Sequence, residues 1–63
     1  MNGSYDDIID RLDSIAEEIA DRGMTVLRDS IEGDAEKYGR EERQLGKARR
    51  AVAKAAGELR AIE

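Results

Sequence analysis

An all-α fold is what this sequence predicts: an antiparallel two-helix hairpin that dimerises into a four-helix bundle. Three observations lead there. Proline is absent from the 63 residues and aromatics make up 3 %, while charged residues reach 41 %; that balance suits helices and leaves little for a β-sandwich. Apolar residues recur at three- and four-residue steps along two long stretches, the period of an amphipathic helix. Between them lies one short segment, Gly33 to Gly39, a usual length for a helix–helix connection. One domain therefore spans residues 1–63, with helix one over about 5–32, the turn over about 33–39 and helix two over about 40–62.

Helix one has a readable start. Ser4 is a capping residue, and Asp7 stands where a capping box places Glu or Gln. Asp6, Asp7 and Asp10 put negative charge near the positive end of the helix dipole. Two apolar lines then run side by side. The first is Ile8, Leu12, Ile15, Ile19 and Val26; the second is Ile9, Ala16, Ala20 and Leu27. At about 100° per residue they cover an arc of roughly 160°. Asp7, Asp10, Ser14, Glu17, Glu18, Asp21 and Thr25 fill the other side. Gly23 lies inside the apolar arc. A glycine there costs about 1 kcal/mol relative to alanine, so it is read either as a point of close helix approach or as a tolerated defect.

Gly33 suits the left-handed position that ends a helix. Helix two then starts at Gly39, or earlier if Asp34 caps it. Its apolar residues, Leu45, Ala48, Val52, Ala55, Leu59 and Ile62, step 3-4-3-4-3. That is a heptad seam, little more than two heptads long. Alanine alternating with larger residues lets a neighbouring helix pack closely. Two amphipathic helices joined by a short turn fold back on each other. Charge favours the same pairing: residues 1–38 hold eleven acids and four bases, residues 39–63 four acids and seven bases.

The two faces do not match. Helix two offers only Leu45, Val52, Leu59 and Ile62 as large apolar residues against the wide arc of helix one. A chain this short has neither cysteine for a disulfide nor histidine for the usual zinc sets, and association is the remaining remedy. The expected arrangement is a homodimer in which one line of helix one packs on its own helix two. The other line, Ile9, Ala16, Ala20, Gly23 and Leu27, then meets the second copy or another protein. Aspartate at Leu27 is expected to disrupt assembly.

Composition also limits the chemistry. Without cysteine or histidine, nucleophilic catalysis by a thiol and base catalysis by an imidazole are excluded. The glycines at 3, 23, 33, 39, 46 and 57 match no phosphate-binding or dinucleotide pattern. Arg11, Arg22 and Arg28 project away from the centre of the apolar arc, so they do not line a bundle cavity as a helical enzyme acting by electrostatics requires. No catalytic, cofactor-binding or metal-ligating residue is assigned, no cofactor is expected, and the chain is read as a non-enzyme.

A basic line on helix two, Arg43, Lys47, Arg50 and Lys54, falls opposite the Leu45–Ile62 seam. It offers the alternative function, tracking a nucleic-acid backbone. Net charge −4 and the lack of aromatics beside it favour a solvated face instead. No apolar run reaches membrane-spanning length, and acidic residues on the polar face of helix one oppose binding to anionic lipid. Met1 to Asp7 lack the basic start and apolar run of a signal peptide, so a cytoplasmic location is expected. The leading expectation is a self-associating helical hairpin that acts in protein–protein interaction, as an adaptor, regulatory or accessory subunit.

Overall fold

A computed structural model describes residues 5–30, 33 and 35–62. Two helices, α1 (Asp6–Ser30) and α2 (Ala35–Ile62), pack against each other as a hairpin. The molecule measures 51 × 13 × 8 Å, with a radius of gyration of 14.8 Å. A compact chain of this length has a radius of about 10.6 Å. The hairpin is thus a rod one layer thick, and each helix keeps most of its circumference in solvent.

The helix ends follow from local chemistry. The Ile9 amide donates to the Tyr5 carbonyl at 2.9 Å, which closes the first turn of α1. Asp6 and Asp7 stand in that turn and Arg28 in the last, each sign matching the dipole. At the far end the Ser30 hydroxyl donates to the Leu27 carbonyl at 2.6 Å, occupying one of the acceptors a helix end leaves open. Ser4 and Asp34, the capping candidates, and residues 31–32 at the expected end of helix one lie outside the described residues.

Two features near the turn follow from the structure. Helix α2 begins at Ala35, the earlier of the two starts the sequence left open, so Tyr38 and Gly39 are helical. Ala35, Glu36 and Lys37 are good helix formers, and one glycine costs too little to stop the helix propagating through it. Gly33 does not take the left-handed backbone expected of it. Its lack of a side chain matters for another reason: a Cβ there would lie 2.7 Å from Cε2 of the Tyr38 ring. The ring packs where an alanine methyl would sit.

Along α1 the residues turned inward are Ile9, Leu12, Ala16, Ile19, Gly23, Val26 and Ser30, all buried or half-buried. They step 3-4 without a break, so α1 carries the heptad seam. This seam takes Leu12, Ile19 and Val26 from one sequence line and Ile9, Ala16 and Gly23 from the other. The division expected from the sequence, one line for each partner, is not how the hairpin uses α1. Two lines about 100° apart are both needed to flank a seam that runs between them.

On α2 the inward residues include Tyr38, Leu45, Val52, Ala56 and Leu59, with Ala56 completely buried, and Ala48 is half-buried as the sequence seam implies. The sequence placed Ala55 and Ile62 in the seam, whereas both are exposed, Ile62 by 64 %. Leu45, Val52 and Leu59 serve two registers, one continuing three residues on through Ala48, Ala55 and Ile62, the other four residues on through Ala56. An undistorted helix drifts by about 20° per heptad, which carries Ile62 out of the seam and brings Ala56 in.

Candidate functional site

The site is built from the two flanks of the seam, which one ion pair orients. Arg60 Nη2 lies 2.5 Å from Asp13 Oδ2, joining the far end of α2 to the early part of α1. The pair is about half exposed on both sides, so its energetic contribution is about 0–1 kcal/mol. Its value here is geometric. Asp13 follows the seam residue Leu12, and Arg60 follows the seam residue Leu59; side chains advance about 100° per residue. The flank with this bridge therefore holds the residues just after the seam: Ala20 and Leu27 on α1, with Gly39, Gly46 and Ala53 on α2. The opposite flank holds Ile8 and Ile15 on α1, with Ala48, Ala55 and Ile62 on α2.

The flanks differ in character. Leu27, 54 % exposed, and Met24, 69 % exposed and turned further outward just after the seam residue Gly23, are the large apolar side chains on the Asp13–Arg60 side. The other flank exposes three isoleucines: Ile8 by 40 %, Ile15 by 42 % and Ile62 by 64 %. All three stand in the half of the rod away from the turn. Towards the turn, Arg22, Asp29 and Glu41 replace them on the same flank. The result is an apolar strip, capped by charge at one end and formed by both helices. Buried apolar side chains, by contrast, are confined to Ile9, Val26 and Ala56 among the described residues.

The residues singled out from the sequence are distributed as follows. Ile9 is 5 % exposed, inside the hairpin; Ala16, Ala20 and Gly23 are half-buried, and Leu27 is exposed. Gly23 faces a gap, since a Cβ built there meets nothing within 4 Å; no close helix approach within the chain requires glycine at this point. Arg43, Lys47, Arg50 and Lys54 are all exposed and run along the outer side of α2. Sequence reasoning placed Ile8 and Ile15 against the chain's own helix two and Ile62 in its seam, not together on an outer flank. For Ile8 and Ile15 the available signal was their excess over a three-and-four seam on α1.

Nothing in the described residues forms an enclosed chemical site. A shallow depression of about 350 Å³ is lined by Asp10, Arg11, Ser14, Ile15 and Glu18, all on α1. Another, of about 280 Å³, lies on α2 among Arg40, Arg43, Gln44 and Lys47. Each is the gap between long side chains on one helix. Among the described residues no group of three acidic side chains is placed to hold a metal ion, and no polar or charged residue is buried. No described helix is long and apolar enough to cross a membrane. No protein-family model, curated protein or solved structure matches the chain.

Proposed function

We propose that this chain is a non-enzymatic protein-interaction module, a helical hairpin that works by self-association and docks as an adaptor, regulatory or accessory subunit. The observation that carries this reading is the strip of Ile8, Ile15 and Ile62, exposed together on one flank. Three isoleucines contributed by two helices in the same half of the rod form an apolar strip along one flank, and exposed apolar patches mark association surfaces. A hairpin with so little interior gains core by covering them. Two hairpins joined in this way make a four-helix bundle.

The testing experiment is sedimentation equilibrium of the chain beside two variants. Ile15→Asp places a charge in the strip and is expected to leave a monomer. Leu27→Asp, on the opposite flank, is expected to keep the dimer mass. A monomeric parent chain, or a dimer lost only with Leu27→Asp, would overturn the assignment. The basic line Arg43–Lys54 supports a second reading, nucleic-acid binding, because its four cations share one exposed face. A gel-shift titration in increasing salt tests it. The expected result is no retained complex at physiological salt, and tight binding with a steep salt dependence would favour the second reading.

A further inference from the structure

We propose that the occupant of the isoleucine strip is a second copy of the chain related by a two-fold axis running along the rod. All four chain ends then share one end of the bundle, and α1 of each copy lies beside α2 of the other. The inference rests on the self-association proposed above and specifies its geometry.

Two closed arrangements bring the same flank of two hairpins face to face. In one, the axis is parallel to the helices; both turns point the same way, and each α1 meets the other copy's α2. In the other, the axis crosses the rod; the turns point apart, α1 meets α1 and α2 meets α2. The position of the strip separates them. Ile8, Ile15 and Ile62 lie in the half away from the turn, so a parallel axis superposes the strips with the hairpins in full overlap. A crossing axis superposes them only if the hairpins slide apart, which leaves both turn ends uncovered.

Charge selects the same arrangement. Residues 1–38 carry a large excess of acids and residues 39–63 an excess of bases, so pairing α1 with α2 of the second copy sets opposite signs together. Pairing α1 with α1 sets like signs together. Individual residues agree. Arg11 and Glu58, both exposed, border the strip at about the same distance from the turn, one on each helix. A parallel axis puts Arg11 beside Glu58 of the second copy. It also sends the two basic lines to opposite corners of the bundle, where they form no continuous cationic groove.

The test is a distance between turn ends. The chain has no cysteine, so Ala35→Cys, at the exposed first residue of α2, gives one spin-label site per copy. Pulsed electron–electron resonance on the full chain is expected to give about 20–30 Å, the width of a four-helix bundle. A separation of about 50 Å or more is the result for a crossing axis at the level of Ile15, because each turn then projects roughly 25 Å beyond it at 1.5 Å per residue. That outcome overturns the geometry while leaving self-association intact. A labelled chain that sediments as a dimer yet gives the long distance identifies this case; an unlabelled parent that stays monomeric overturns both. As a second reading, Arg11→Glu is expected to raise the dimer dissociation constant several-fold, and Glu58→Arg added to it to restore the parent value. An unchanged constant for Arg11→Glu contradicts the pairing.

Discussion

Glycines here do different work from what their positions in the sequence suggest. Gly33 looked like a helix-ending glycine, but it makes room for the Tyr38 ring, which would stand 2.7 Å from a Cβ at that point. Gly33→Ala is expected to destabilise the hairpin by about 1–3 kcal/mol, the range for overpacking. In a Tyr38→Ala background the same change is expected to cost less than half as much. Equal costs in urea unfolding of the two backgrounds would show that the ring is not what constrains Gly33. Gly23 is the reverse case, facing space with no neighbour for a Cβ. Gly23→Ala is expected to stabilise the protein by about 1 kcal/mol, a rise of roughly 4–8 °C in melting temperature for a chain of this size. A fall on thermal unfolding would mean that a partner's helix occupies that gap. The sequence did not show the role of Gly33 and left Gly23 open between a close approach and a tolerated defect, because both depend on what lies across the turn or seam.

The helices themselves were plain from their periodicity. The 3.6-residue pattern located α1 and α2, and Gly33 marked the break between them, while Ala35 to Gly39 belong to α2. What periodicity left open was rotation about each axis. On α2 the apolar residues fit two registers that share Leu45, Val52 and Leu59, and only packing against α1 chooses between Ala55 and Ala56. Aspartate at these two neighbours is therefore expected to give different phenotypes. Ala56→Asp buries a charge without a partner and is expected to cost about 3 kcal/mol or more, visible as lost helicity in circular dichroism. Ala55→Asp keeps the hairpin but charges the isoleucine flank, so it is expected to weaken association while helicity at high protein concentration is retained. Identical effects at both positions would contradict the register. On α1 the same freedom let two adjacent apolar lines be assigned to different partners, when the seam draws from both.

At the scale of the molecule, the sequence made the shortage of core legible through four large apolar residues on helix two set against the wide arc of helix one. It did not indicate where the surplus would gather, because that depends on both helix rotations at once. With the Asp13–Arg60 bridge marking one flank of the seam, Ile8, Ile15 and Ile62 fall on the other flank and Leu27 on the bridged one. The central claim is that covering this flank is part of what holds the fold together. Thermal unfolding followed by circular dichroism over a hundredfold range of protein concentration tests it most directly. Stability that depends on a second copy varies with concentration by mass action. The melting temperature is therefore expected to climb steadily with concentration in the parent chain and to stay flat in Ile15→Asp. A parent melting temperature that does not move with concentration would contradict the account.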